Sequence, residues 1–353
     1  MDKFNRIEMA DASAYNRKKA VFGMCRVSVL LLIITVLSEC VSFSVFFLVG
    51  KYSQEIQRLL VKILVFFNAS KGSAYTAVKL VMGSEAFSKV LGIAVTIVSL
   101  VIPGAVFAKA VKLSGKETFN ISGKCIKGLI PMFCLCHLFT TLASVFSGAI
   151  SDFLLPGSAS VYEASTGVVA HEFNIYEFVI SILCTSIFVP IVEEYVFRGV
   201  IFSYLRRFGT AFGIVASATI FGVAHTSPVQ SVYAFVFGLF SATMIVVTGN
   251  IKTSILLHAG NNCLTVVLGY ILGELNVTGF NVVSGLYMII ISGIAIYGLY
   301  SFCKEDGLLQ NLRDKAEEQD GELVVKPGLG QIMVLPLVVY ILYYAYSVLM
   351  TVM

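Results

Sequence analysis

Nine stretches of seventeen or more residues pass through this chain with almost no charge: 27–49, 90–108, 128–150, 177–205, 208–225, 229–248, 253–272, 282–302 and 332–352. As a helix, each is long enough to cross a hydrocarbon layer about 30 Å thick. Lipid offers no water to backbone N–H and C=O groups, so such runs must close their hydrogen bonds internally. The expected fold is all-α, a polytopic membrane helix bundle with about eight to nine transmembrane helices. Charged residues occupy 13% of the 353 positions, about half the ~25% of soluble chains, so a soluble enzyme is excluded. The net charge of +4 sits in loops and needs no nucleic-acid partner.

A helix bundle can absorb the whole chain as one unit, read here in four sections. Residues 1–26 are a polar N-terminal segment, 27–175 N-terminal membrane helices, 176–272 the part richest in intramembrane polar groups, and 273–353 C-terminal membrane helices with a charged loop at 304–331. Lys and Arg cluster in 1–26, 109–127, 194–208 and 304–331, while 151–176 carries Asp152, Glu163 and Glu172 and no basic residue. Basic loops stay on the cytoplasmic side, so an integral membrane protein with a cytoplasmic N-terminus is expected. The segment 50–89, with six Lys/Arg, breaks this count; its Glu55–Phe67 stretch reads as an interfacial or re-entrant helix.

Eight cysteines show no framework spacing and read as packing residues. In "CLCH" (Cys134 to His137), Cys134 and Cys136 point about 200° apart on a helix, which argues against a metal site there. Gly238 with Ala242, and Gly209 with Gly213, suggest close helix packing. Tyr340, Tyr343, Tyr344 and Tyr346 suggest an interface belt or bundle packing.

The stretch "PIVEEYVFRG" (Pro190 to Gly199) puts two glutamates and an arginine inside an apolar run. Intramembrane ionisable groups are expensive and mark function. Glu194 and Arg198 are four apart with the acid first, the favourable order for pairing on a helix. Glu193 is turned about 100° away and faces no such partner, which suits it to take up and release a proton. Pro190 removes a backbone N–H one turn earlier and loosens the helix.

Two of the four histidines follow in neighbouring helices: "FGVAH" sets Phe221 and His225 four apart, and "HAGNN" sets His258 and Asn262 four apart with Asn261 on a nearby face. A carboxylate, two imidazoles and a carboxamide around one buried water are the parts a peptide hydrolase needs. The same side chains could instead hold a divalent metal that makes the water nucleophilic, and spacing alone leaves both open. Straight helices would set Glu193 ~18 Å, His225 ~25 Å and His258 only ~8 Å from the inner ends of their runs. Tilt or kinks must close that gap.

These three motifs in this order resemble those of the CPBP (Abi) family, over roughly Thr185 to Tyr270. That family includes CAAX prenyl endopeptidases and bacteriocin-processing or bacteriocin-immunity membrane proteins. The resemblance implies an intramembrane protease with a CAAX-protease-like core at 176–272. Glu193 would be its water-activating base, Glu194 and His225 the partners of that base, and His258 with Asn262 would stand at the oxyanion. Arg198 and Phe221 would be supports. If Zn2+ is bound, Glu193, His225 and His258 would be its ligands. The wording "FRGVIFSYLRR" and "TGNIKTSILLHAGNN" is closer to the bacterial branch, which points to a bacterial cytoplasmic membrane and to leader peptides or membrane-bound proteins as substrates, with membrane lipid as the other partner. The competing readings are a non-catalytic immunity or scaffold protein and a proton- or cation-coupled transporter.

Overall fold

A computed structural model describes residues 3–342 apart from 68, 120–128, 155–173, 226–227, 274, 276, 305–307, 321–328 and 335–336. All regular structure among the described residues is helical, and the chain is an all-α polytopic membrane bundle. Helix α1 (Lys3–Lys51) has 49 residues and runs about 74 Å at the usual rise. Its buried hydrophobic positions, Ala20, Met24, Val27, Leu30, Leu31 and Ile34, recur mostly at three or four residues, the stripe by which a helix faces a core. The polar segment before residue 27 thus continues into the first membrane helix, and Ala20 and Met24 already belong to the core.

Helices α2 (Ser53–Phe66) and α3 (Lys71–Met82) form a hairpin closed by Val61, Ala74 and Val78. Ser70 starts α3 by accepting the Ser73 N–H at 3.2 Å. At fourteen and twelve residues they reach only about 21 and 18 Å, short of a crossing. The single interfacial helix expected here is therefore a pair.

A continuous span, Ala86–Ala110, joins α4 (Glu85–Thr96), a π-helical stretch Ile97–Val101 and α5 (Ile102–Ala110). After the short α6 (Gly115–Thr118) and α7 (Leu129–Leu154), a second composite span covers Ile175–Phe208. It consists of α8 (Ile175–Ser181), a π stretch Ile182–Phe188, α9 (Val189–Glu194), a π stretch Tyr195–Phe202, α10 (Ser203–Leu205) and a tight turn Arg206–Phe208. Pro103 and Pro190, the prolines inside these two composite spans, each follow a π stretch. A proline cannot donate to the preceding turn, and π turns are one way a helix absorbs such a gap.

Gly209, at φ 137°, turns the chain into α11 (Thr210–Ala224); α12 (Pro228–Thr248), α13 (Ile251–Gly273), α14 (Val277–Lys304) and α15 (Leu308–Asp320) follow. Gly209 thus makes a turn that favours glycine, while Gly213 packs closely, a Cβ there standing 2.7 Å from Arg206 Cα. Seven helices among the described residues are long and apolar enough to cross a membrane. Of the nine expected spans, 208–225 is the fifteen-residue α11, shorter than those seven, and 332–352 lies largely outside the described residues. Of the clustered tyrosines, Tyr340 is buried and its hydroxyl meets Thr35 at 3.4 Å, so it packs the bundle; the other three lie outside the described residues.

The main core fills the space between α1, α7, α11, α12, α13 and the composite span, around Phe197, Ile201, Phe221, Phe237 and Leu257. Cys136 belongs to it, whereas Cys134 packs on the other side of α7 with Ile291 and Ala295, the divergence expected two residues apart on a helix.

One end of the bundle is basic and tied by side chains. Arg207 donates to Glu117 Oε1 at 2.7 Å and to the carbonyls of Val111 and Lys112. Burial would raise the Glu117 carboxyl, but bonds from the Ser114 backbone N–H and from Arg207 outweigh it and hold it below its ordinary value. A carboxylate lowered by folding contributes stability above its unfolded range and loses it as pH falls through the folded value, so this clasp loosens only in acid.

At the same end α15 caps two helices. Asp320 Oδ1 accepts from both the Thr210 N–H and the Thr210 hydroxyl, at 2.9 Å each, where Gly209 offers no side chain to α11. Lys315 donates to the Val247 carbonyl at the end of α12. An anion at a helix start and a cation at a helix end both suit the helix dipole. Asp320→Ala is expected to cost about 1 kcal/mol, read as a lower thermal midpoint of the detergent-purified protein, with Asp320→Asn retaining most of the cap.

Candidate active site

Glu194 is the centre of the intramembrane polar cluster and is fully buried. Its Oε1 accepts from His258 Nδ1 at 2.9 Å and forms an ion pair with Arg198 Nη1 at 3.3 Å. Its Oε2 receives the Ser241 hydroxyl at 3.0 Å and the Ser254 hydroxyl, and the two serines are themselves 2.6 Å apart. Each hydroxyl has one proton, so at most two of these three serine contacts are hydrogen bonds at once. A buried carboxylate with this many donors is held as an anion in one rotamer.

Arg198 sits one turn on from Glu194 and is also fully buried. Its guanidinium lies 4.1 Å from the Phe221 ring centroid and 5.6 Å from that of Phe237. Stacking on an aromatic face lets a desolvated guanidinium keep favourable contacts. Small residues make room: a Cβ on Gly238 would stand 2.9 Å from Ala218 Cα and 3.4 Å from Arg198 Nη2, and one on Gly199 would stand 2.7 Å from the Thr118 carbonyl.

His258 is oriented by its neighbours. Since a carboxylate only accepts, the Nδ1 facing Glu194 carries a proton, and Nε2 is turned to Glu193 Oε2 at 3.8 Å. Phe237 and Phe221 border the imidazole, with ring centroids 4.7 and 5.9 Å away. Glu193 keeps 17% of its side-chain surface exposed, in contrast to its sealed neighbour. His225 ends α11; its Nδ1 donates to the Phe221 carbonyl at 2.8 Å, which leaves Nε2 for other work within electrostatic range of Glu193. The level difference expected for straight helices is therefore closed between Glu193, Glu194 and His258.

Asn262 points elsewhere: its Nδ2 donates to the Thr185 backbone carbonyl at 2.9 Å. Asn261 is buried and belongs to a separate network, in which His137 Nδ1 meets Asn261 Oδ1 at 2.6 Å, Asn261 Nδ2 donates to Tyr233, and Tyr287 meets His137 Nε2. The histidine of "CLCH" thus braces α7, α12, α13 and α14 together. Among the described residues no three His, Cys, Asp or Glu side chains converge as a metal-binding group. Glu193, His225 and His258 are not arranged as one ligand set.

A family model described as type II CAAX prenyl endopeptidase Rce1-like matches residues 175–264. This stretch resembles the CAAX protease family. The matched stretch contains Glu193, Glu194, Arg198, His225, Ser241, Ser254, His258 and Asn262 and the two π stretches that frame the glutamates. No curated protein and no solved structure matched the chain. The Rce1-like match supports a CAAX-type intramembrane protease in an integral membrane protein. Ser241 and Ser254 were not legible as site residues in the sequence. The signal for Ser254 was its position four residues before His258, on the same face of α13; Ser241 had none beyond its place beside the small residues Gly238 and Ala242.

Proposed function

We propose that the chain is an intramembrane endopeptidase that hydrolyses a peptide bond in a membrane-associated protein or leader peptide, with Glu193 activating the attacking water. The observation that carries this reading is the division of labour between the paired acids: Glu194 is sealed and saturated with donors, while Glu193 is partly exposed beside His258 Nε2. Glu193 takes a proton from water as the oxygen attacks the carbonyl carbon. The tetrahedral intermediate then collapses, the C–N bond breaks, and the proton passes from Glu193 to the leaving amine. His258, held through Nδ1 by the Glu194 carboxylate, presents Nε2 to the developing oxyanion when that nitrogen is protonated. His225 Nε2 assists in placing the water.

No step here passes through a metal, since the donors do not form a ligand set; Zn2+ bound by Glu193, His225 and His258 would require them to close up. The positive-inside pattern supports an N-terminus on the cytoplasmic side and puts the basic end, with Arg206, Arg207 and Lys315, there too. The motif wording supports a bacterial cytoplasmic membrane.

The deciding experiment is cleavage of a peptide library by the purified protein in detergent, with and without a chelator. Cleavage that survives chelation is the expected result. Cleavage lost on chelation and restored by Zn2+ would replace the carboxylate-only mechanism, and no cleavage at all would favour a non-catalytic scaffold.

A further inference from the structure

The hydrogen-bond register around Pro190 leaves one carbonyl without a donor, and a side chain from another helix supplies it. The Ile182 N–H still reaches back four residues to the Phe178 carbonyl, but the π stretch Ile182–Phe188 shifts the register, and at its end the Val189 N–H bonds to the Cys184 carbonyl, five residues back. The next bond in that register would run from residue 190 to the Thr185 carbonyl. Residue 190 is proline and has no N–H. A carbonyl deprived of its partner inside a membrane protein must find another. Thr185 finds the carboxamide of Asn262, whose Nδ2 donates to it at 2.9 Å.

We propose that Asn262 is a positioning residue that substitutes for the missing Pro190 N–H. It thereby locks the helix bearing Glu193 and Glu194 to α13. Asn262 lies one turn after His258 on α13, and Thr185 lies two turns before Glu193 on the composite span. The Asn262 bond and the His258–Glu194 bond therefore pin the two helices at two points. With only the second pin, the π stretch is free to slip toward an α register, which rotates Glu193 relative to His258. This role leaves the second Nδ2 proton of Asn262 available for other contacts. It rests on the proposed function only for its effect on cleavage, not for its effect on stability.

The test is a double-mutant cycle of Asn262→Ala and Pro190→Ala, read first as the thermal unfolding midpoint of the full-length protein in detergent. An alanine in place of Pro190 has an N–H, so the Thr185 carbonyl gains a backbone donor whether that stretch stays π or relaxes to α. Asn262→Ala is expected to lower the midpoint by about 3–6 °C when Pro190 is present and by about 1 °C or less in the Pro190→Ala background. Equal losses in the two backgrounds would overturn the proposal. The second reading is cleavage of whichever library peptide the wild type cuts. A positioning role predicts that Pro190→Ala restores part of the rate lost in Asn262→Ala, whereas a purely oxyanion role predicts no restoration and would confine Asn262 to the chemistry. If no variant cleaves, wild type included, the proposed function fails while the thermal cycle still decides the role of Asn262.

Discussion

Glu193→Gln is expected to leave the protein folded in the membrane while lowering peptide cleavage by about 10²–10⁴-fold, the usual worth of a positioned general base. The substitution is nearly isosteric, and the side chain it changes stands 3.8 Å from His258 Nε2 and is partly exposed. All the contacts of Glu194 survive it. Thermal unfolding midpoints of the two proteins should coincide within experimental error. Glu194→Gln is the informative contrast: the amide would set an N–H against a site built from donors, so both activity and stability should fall. Undiminished cleavage by Glu193→Gln would remove Glu193 from the mechanism.

Arg198→Met is expected to have the largest effect on stability. Removing the guanidinium leaves Glu194 fully buried with no charged partner beyond His258. Breaking a buried ion pair from one side costs about 3–5 kcal/mol, to which the lost stack on Phe221 adds about 1 kcal/mol. The single variant should therefore express poorly or unfold well below the wild type. Arg198→Met combined with Glu194→Gln removes both charges together and should recover much of the loss, although it will not cleave peptide. A double variant as unstable as the single one would mean that packing against Phe221 and Phe237, not charge, holds this corner of the core. Arg198→Lys should behave closer to the methionine variant than its charge suggests, because an ammonium cannot stack as a planar guanidinium does.

Much of the architecture was legible because lipid leaves a chain few choices. Long apolar runs gave the all-α bundle, and the i,i+4 spacing of Glu194 and Arg198 gave their ion pair. What failed to show has physical causes. Apolar length marks a span but not its ends, so α1 begins far earlier than its uncharged run and α11 stops at fifteen residues. A single proline signals a loosened helix, but whether the helix kinks or shifts into π turns depends on which neighbour can satisfy the freed carbonyl, and the neighbour here is 77 residues away. The serines on Glu194 were hidden for a similar reason. Ser241 and Ser254 are ordinary residues in apolar helices until folding brings both to one carboxylate oxygen. The bracing of Asn261 by His137 depends on α7 lying against α13, which no local spacing encodes.

The cap that Asp320 gives to α11 also orders events during synthesis. Thr210 and Asp320 are 110 residues apart, so at about 5–20 residues per second the ribosome needs roughly 5–20 seconds after making the start of α11 before its anchor exists. Throughout that interval the first N–H groups of the helix that ends in His225 have no side chain to hold them. The nascent chain must thread α12, α13 and α14 past an unfinished neighbour. The helix that delivers a site histidine therefore has its first turn capped only once α15 has been made.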